Sequence, residues 1–264
     1  MIDNFMRKPS RVLSMILINA DDLGKSHSRN LAIRQAMNCG WIDRASLIVN
    51  SEWTDEAVKM FRGGGGGICF HLNLGEGTPL TEGMKSTFLC NAEGRFKRMN
   101  NPKQHLKMAI RGGVRNIIRQ EIEAQMAKFR DCGFKSTHVD SHFFTHAELD
   151  VALELVSAMK RFGFKTIRAL SGHFVDIKLH SARWRVRLYY KYVKRLYEKA
   201  GLVFDAWSGC AREYLNAGPL AGDVEIYVHP DTINGEFVDT VYSYRGETRL
   251  MSLVRNDVMS MSAT

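Results

Sequence analysis

The sequence predicts an α/β protein, a distorted or partial (β/α) barrel of about seven parallel strands. Three observations favour this class. Short apolar segments alternate with amphipathic ones, polar side chains follow the apolar segments, and 264 residues suffice for one large barrel domain. An open parallel sheet is less consistent with about seven strands in a chain of this length.

The strands are predicted from short apolar, β-branched runs, which are typical of strands buried on both faces. They lie at residues 12–19, 45–50, 68–74, 136–139, 165–170, 202–207 and 223–228. Polar or turn residues follow each run. Because these residues stand at the carboxyl ends of parallel strands, we expect their side chains to meet at one face of the barrel.

The helices are predicted from apolar residues at helical spacing, as at Ile118, Ile122, Met126 and Phe129. They lie at residues 28–38, 54–61, 114–131, 147–162, 182–200 and 247–259, with a short helix near 211–215. A single domain is expected over residues 1–264, preceded by a loose tail at 1–10. The irregular segment 75–107 is predicted to be a long functional loop or lid, since loops of this length are otherwise uncommon in compact domains.

Composition narrows the class of protein. Five cysteines, an odd number without a C-x-x-C pair, indicate free thiols in a reducing compartment. No apolar run approaches the ~20 residues of a membrane span. The amino-terminal basic and apolar residues resemble a signal peptide only faintly, because two aspartates follow instead of a small-residue cleavage site. We therefore expect a cytoplasmic protein.

The formal net charge of +9 is partly concentrated at residues 183–199, where basic and aromatic side chains interleave. A nucleic-acid or membrane surface would use such residues. An amphipathic surface helix, with basic side chains lying over an apolar face, explains them equally simply and is favoured. No nucleic-acid partner is expected.

Asp21 and Asp22 directly follow the first apolar run. Adjacent carboxylates repel each other unless they share a proton or a cation, so one hypothesis is a metal site with one aspartate as ligand and the other as base. The alternative is a helix N-cap for the segment that begins near Ser28, with Gly24 at the turn. The two aspartates alone leave both interpretations open.

Further polar residues follow other predicted strands: Asn50, His71, Asp140, His142, Arg168 and His229. Asp22, His71 and His142 would supply one carboxylate and two imidazoles, a ligand set typical of hydrolytic metal sites with an open position. His71 alone would more often be a core histidine. His138, Asp140 and His146 surround His142 in sequence, and which of them approaches the metal stays open.

At these residues the sequence resembles the YdjC-like carbohydrate deacetylases, which include the chitooligosaccharide deacetylases and are distantly related to NodB-type polysaccharide deacetylases. The matching segments appear in family order: NADDLG at 19–24, SLIVN at 46–50, HLNL at 71–74, HVDSH at 138–142 and VHP at 228–230. Leu23 replaces the usual phenylalanine. Phe143 and Phe144 stand where many relatives carry additional histidines.

The resemblance implies one divalent metal ion, zinc or magnesium, held by Asp22, His71 and His142. It also implies Asp21 as catalytic base, His229 as general acid and Arg168 as the residue that orients the base. The implied enzyme is a metal-dependent hydrolase that uses water to remove an N-acetyl group from an amino sugar or a short chitooligosaccharide-like substrate. The alternative is a non-catalytic carbohydrate-binding protein on the same barrel. A homodimer is one oligomeric state that the sequence leaves open.

Overall fold

The computed structural model describes residues 15–63, 67–97, 114–170, 184–204, 207–210, 213–214 and 223–240. The predicted tail at 1–10, the end of the loop at 98–107, the last helix at 247–259 and most of the short helix near 211–215 lie outside these residues.

Within these described ranges, eight parallel strands form the central sheet. They are β1 (Ile16–Leu23), β2 (Arg44–Leu47), β3 (Ile68–Leu72), β4 (His138–Ser141), β5 (Thr166–Ile167), β6 (Val203–Phe204), β7 (Trp207–Cys210) and β8 (Val224–Val228). Their order in the sheet is β6-β5-β4-β3-β2-β1-β8-β7. β3, one of the two most central strands, is wholly buried, and β1 is buried from Ile18 to Leu23, which explains why both contain runs of apolar residues.

The two edges of the sheet come from one short segment of the chain. β6 pairs with β5 at one edge, whereas β7 pairs with β8 at the other. Phe204 and Trp207 are three residues apart, a separation of at most about 11 Å, and so the sheet must curve until its edges approach each other. This confirms the predicted distorted, partial barrel. The prediction of one strand at 202–207 was wrong, because that segment divides between both edges.

Six α-helices accompany the strands within the described residues: α1 (His27–Asn38), α2 (Thr54–Phe61), α3 (Glu82–Lys85), α4 (Arg115–Asp131), α5 (Leu149–Phe162) and α6 (Trp184–Lys199). A 3₁₀ segment at His142–Ala147 links β4 to α5. The short helix α3 lies inside the segment predicted to be irregular throughout. The core joins the inner faces of these helices to the sheet, as with Ile122, Met126 and Phe129 of α4.

The start of α1 decides between the two interpretations of the aspartate pair. Ser26 is the N-cap, and its hydroxyl accepts a hydrogen bond from the backbone N–H of Arg29 at 3.2 Å. Asp21 and Asp22 belong to β1 instead. The N-cap interpretation of the aspartates was therefore wrong, because a serine closer to the helix fills that role.

The basic helix α6 packs against α5 through its aromatic side. Val193 and Tyr197 are fully buried, and the Tyr197 hydroxyl donates to the His146 carbonyl at 2.7 Å. Leu188 and Tyr192 are exposed. The favoured prediction of an amphipathic surface helix is confirmed for the side chains described. None of the helices in the described part of the chain is long and apolar enough to cross a membrane.

An antiparallel hairpin follows β8 and was not predicted. It consists of β9 (Pro230–Ile233) and β10 (Glu236–Asp239), joined at Asn234 and Gly235, both with positive φ. An Asn-Gly pair at this position is a strong sequence signal for a tight hairpin. The hairpin packs on α1, where Arg29 contacts Asp231 at 3.2 Å and Thr240 at 2.7 Å.

Candidate metal centre

Polar side chains collect at the carboxyl ends of the barrel strands. Asp21 and Asp22 lie near the end of β1, His71 lies in β3, and His142 directly follows β4. Arg168 follows β5 and His229 follows β8. All six are nine-tenths or more buried. The structure therefore brings every predicted site residue to one end of the barrel.

Asp22 has an unusual backbone conformation, with φ at 68°. Such left-handed conformations are uncommon outside glycine and concentrate at functional sites. Its Oδ2 atom faces cations, with Arg29 Nη1 at 3.3 Å and Lys25 Nζ at 3.4 Å. Its Oδ1 atom faces the imidazoles, with His142 Nδ1 at 2.7 Å and His71 Nε2 at 3.4 Å. The two oxygens thus have separate surroundings.

The ligand atoms of Asp22, His71 and His142 all lie within 4.8 Å of one another. Within the described part of the chain, Asp22 Oδ1 and His71 Nε2 are buried without a hydrogen-bond partner, although imidazole nitrogens of His142 and His71 lie 2.7 and 3.4 Å from Oδ1. Burial raises the pKa of Asp22, but His142 and His71 outweigh it and hold this pKa well below its usual range. Because a buried carboxylate oxygen and an imidazole nitrogen without partners suit a divalent cation, the residues fit a metal ion.

In the described part of the chain, the ligand atoms of two further groups lie equally close together: Asp21 with His71 and Asp140, and His138 with Asp140 and Glu225. Their carboxylates already accept hydrogen bonds from Arg168. Since a guanidinium supplies the positive charge in both of these groups, the group around Asp22 is the better metal candidate.

Each candidate histidine ligand has a carboxylate on its other ring nitrogen. His71 Nδ1 lies 2.6 Å from Asp140 Oδ1, and His142 Nε2 lies 2.9 Å from Glu76 Oε2. Burial lowers the pKa of His71, but Asp140 outweighs burial and raises it to about 10. The surroundings of His71 Nε2 therefore favour positive charge, whether from a proton or from a metal ion.

Arg168 fixes the neighbouring carboxylate of Asp21. Its guanidinium makes a bidentate pair with Asp21, both hydrogen bonds being 2.7 Å long. It also donates to Asp140 at 2.8 Å and to Glu225 at 2.8 and 3.0 Å. Burial lowers the pKa of Arg168, but the three carboxylates raise it well above its ordinary value. Asp21 is thereby held beside the metal group without belonging to it.

His229 is the last of the predicted residues. Its Nε2 atom lies 3.8 Å from Asp21 Oδ2. Burial lowers its pKa below the ordinary histidine value, although Asp21 and Asp22 oppose the shift. His229 therefore lies beside the carboxylate that Arg168 holds.

His138 and His146 do not join the group around Asp22. His138 contacts Arg44 at 3.1 Å and Thr166 at 3.0 Å, and His146 Nδ1 lies 2.6 Å from the Ser141 hydroxyl. Burial is the main cause that lowers the pKa of each to about 3. Both are neutral structural histidines, which answers the question left open by their positions in sequence.

The family model of YdjC-like proteins matches residues 15–258. The chain belongs to the YdjC-like protein family. Curated relatives named carbohydrate deacetylase include proteins of Brevibacillus brevis (36% identical over 53% of this chain and 54% of the relative) and Clostridium beijerinckii (30%, over 55% and 56%). A Homo sapiens relative of the same name is 29% identical over 60% of this chain and 49% of its own. Each match thus spans about half of the relative's length.

A solved structure with the same fold is that of an Enterococcus faecalis V583 protein described as a candidate cellobiose-phosphate cleavage protein. The TM-score is 0.66, with 16% identity over 94% of this YdjC-like chain and 95% of the other. At this identity the likeness shows the fold alone.

Beside the metal candidate, this YdjC-like protein has a cavity of about 430 Å³, whose wall includes Lys25, Asn50, Asn73 and Glu76. A larger cavity of about 1130 Å³ lies at the opposite end of the barrel, near Arg44, Ile68 and His138. Only the smaller cavity shares residues with the contacts of Asp22 and His142, and so it is the candidate substrate cavity of this family member.

Sequence reasoning missed four residues of the site. Lys25, Arg29 and Glu76 are ordinary charged residues in sequence, and only the fold shows that they approach Asp22 or His142. Glu225 gave a signal that was overlooked, since a glutamate within the apolar run of β8 is rarely buried unless it is paired.

Proposed function

We propose that the protein is a metal-dependent hydrolase that removes an N-acetyl group from an amino sugar or a short, chitooligosaccharide-like oligosaccharide. The observation that carries the proposal is the convergence of Asp22, His71 and His142 ligand atoms beside Asp21, a carboxylate held outside that group. The relatives named carbohydrate deacetylase support the same chemistry.

Asp22, His71 and His142 would hold one divalent cation, with zinc or magnesium as the candidates. A bound cation would polarise the acetamide carbonyl and lower the pKa of a water molecule. Two imidazoles and one carboxylate suit zinc, whereas magnesium more often takes oxygen ligands. The cations at Asp22 Oδ2 leave Oδ1 as the ligand atom.

Asp21 would act as the catalytic base and take a proton from the attacking water. Its bidentate contact with Arg168 fixes the direction of its carboxylate. A positioned base of this kind contributes about 10²–10⁴ in rate. Arg168 would orient Asp21 and would not itself exchange protons, because guanidinium groups stay charged in proteins.

His229 would act as the general acid and deliver a proton to the sugar nitrogen as the amide C–N bond breaks. The proton that His229 delivers would come from the attacking water by way of Asp21, whose Oδ2 atom lies 3.8 Å from His229 Nε2. The water oxygen and the second water proton would leave in acetic acid, which ionises to acetate in solution, and the sugar would leave as a free amine. The proton that Asp21 takes from water would thus be the proton that His229 delivers, so both residues return to their starting protonation states.

The cavity of about 430 Å³ would receive the sugar. Its volume lies within the range of small-molecule sites. Its wall is mainly polar and charged, which suits a ligand rich in hydroxyl groups. A sugar bound in this cavity would lie next to Lys25 and Glu76, which contact Asp22 and His142.

The test is acetate release from a series of chitooligosaccharides, measured with added zinc or magnesium and after chelation. Activity should disappear on chelation and return with metal. Asp21→Asn should bind metal like the wild type but lose at least about 10²-fold in turnover. Asp131→Asn, an exposed aspartate at the end of α4, is the matched control and should keep full activity.

Two results would contradict the proposal. Full activity of Asp21→Asn would remove the assigned base. Saturable binding of acetylated sugars without acetate release, across the whole series and with each metal, would favour a non-catalytic carbohydrate-binding protein.

A further inference from the structure

Glu76 is an acidic residue outside the barrel strands that reaches the metal candidate. It follows β3 in the loop at the cavity wall, and its side chain is 40% exposed. Its Oε2 atom lies 2.9 Å from His142 Nε2 and 2.8 Å from Lys25 Nζ. The sequence motifs do not predict this contact, because Glu76 lies outside them and is 66 positions away from His142.

The contact determines which nitrogen of His142 is available as a ligand. Glu76 is a hydrogen-bond acceptor, so His142 Nε2 carries the proton and donates it. The Nδ1 lone pair is then directed towards Asp22 Oδ1, 2.7 Å away. A carboxylate on the far nitrogen of a metal-binding imidazole fixes its tautomer and ring orientation and strengthens it as a ligand.

Resting on the proposed metal site, we infer that Glu76 is a positioning residue that holds His142 for metal binding through Nδ1. Asp140 has the equivalent contact with His71, but within the barrel, where Arg168 also holds it. Glu76 therefore secures the one histidine ligand that stands outside the strands.

Lys25 holds Glu76 in place. Its ammonium group contacts Glu76 Oε2 at 2.8 Å and Asp22 Oδ2 at 3.4 Å. The lysine thus links the carboxylate that positions His142 to the carboxylate proposed to bind the cation. Ordering the half-exposed side chain of a loop glutamate costs conformational entropy. The contact between Glu76 and Lys25 offsets part of this cost.

Because the backbone after His142 is strained, contacts from outside β4 hold the side chain of His142 in place. Phe143 and Phe144 both have φ near 56°, in the left-handed region that bulky residues rarely adopt. His142 therefore stands at the junction between β4 and an irregular turn, not within a regular strand that would fix its side chain.

The test is the affinity of the purified, metal-free protein for zinc, and separately for cobalt, measured by competition with a chelator. Glu76→Ala should weaken binding by about 10–100-fold. Glu76→Gln keeps an acceptor oxygen but loses the charge, so its loss should be smaller than that of Glu76→Ala. Glu82→Gln is the matched control. It removes the charge of a glutamate in α3 that also pairs with a lysine, Lys85 at 2.5 Å, and should leave the affinity unchanged.

The thermal midpoint of each metal-free variant separates positioning from folding. Glu76→Ala should keep the midpoint of the wild type while losing metal affinity. Unchanged metal affinity in Glu76→Ala, or a loss no larger than in Glu82→Gln, would overturn the role of Glu76 and leave the proposed function intact. A wild type that binds neither metal would overturn the metal site itself and the role of Glu76 with it.

Discussion

Replacing Arg168 with methionine tests the charge arrangement that underlies the site. Arg168 is fully buried and makes five hydrogen bonds to three carboxylates, those of Asp21, Asp140 and Glu225. Methionine is also unbranched and can replace the apolar part of the arginine side chain, but it has neither charge nor donors. The variant would leave three buried carboxylates, of which Glu225 keeps a contact with Arg44 at 3.0 Å.

The expected cost is large. Removing one member of a buried ion pair destabilises a protein by about 3–5 kcal/mol, because the remaining charge is left without compensation. Such a loss is a substantial part of the about 5–15 kcal/mol that separates most native proteins from their unfolded state. Deacetylation should also fall by about 10²-fold or more, because Asp21 loses its bidentate partner.

Urea unfolding of the metal-free protein measures the effect. Arg161→Met is the control, since Arg161 is a largely exposed residue that pairs with Glu123 at 2.8 Å and should contribute less than about 1 kcal/mol. The penalty of Arg168→Met should shrink at about pH 5, because carboxylates without Arg168 have raised pKa values and become protonated. Equal losses in both variants, or a penalty that grows on acidification, would refute the reasoning.

Two other predictions concern stability. His138 and His146 have pKa values of about 3 in the folded protein. Below about pH 6.5 the unfolded chain therefore binds more protons than the folded one. The unfolding free energy should fall by about 1.4 kcal/mol per histidine for each pH unit down to about pH 4. Urea unfolding at a series of pH values should show that the unfolding free energy of His146→Gln falls less steeply on acidification than that of the wild type. Equal pH dependences in the two proteins would contradict this prediction. Gly24→Ala should cost over about 2 kcal/mol, because φ is +87° and a Cβ atom would lie 2.8 Å from the Ile48 carbonyl oxygen. Gly163→Ala, with φ of +74° and open space, should cost only about 1 kcal/mol in the same assay.

The barrel was predictable from the sequence because its strands are buried on both faces. Runs such as those of β1 and β3 must be apolar to lie between the helices and the interior. The division of the segment from Val203 to Cys210 was not predictable. The apolar pattern predicts that a segment forms a buried strand, but it does not predict which other strand that segment pairs with. The hairpin at Asn234 and Gly235 had a recognisable turn signal and was simply overlooked.

The residues of the candidate site were predictable where the chain places them at strand ends. Asp22, His71 and His142 follow this rule, and the structure brings their ligand atoms within 4.8 Å. Their supporting contacts were not predictable. Glu76 reaches His142 across 66 residues of sequence, and this contact depends on a loop conformation that no periodic pattern encodes.

The most direct test of the account is anomalous diffraction from crystals of the protein grown with zinc or cobalt. We expect one strong anomalous peak about 2.0–2.2 Å from Asp22 Oδ1, His71 Nε2 and His142 Nδ1, with Asp21 bound to Arg168 and not to the metal. A peak instead between His138 and Glu225, or no peak near Asp22 under conditions in which the protein releases acetate, would contradict it.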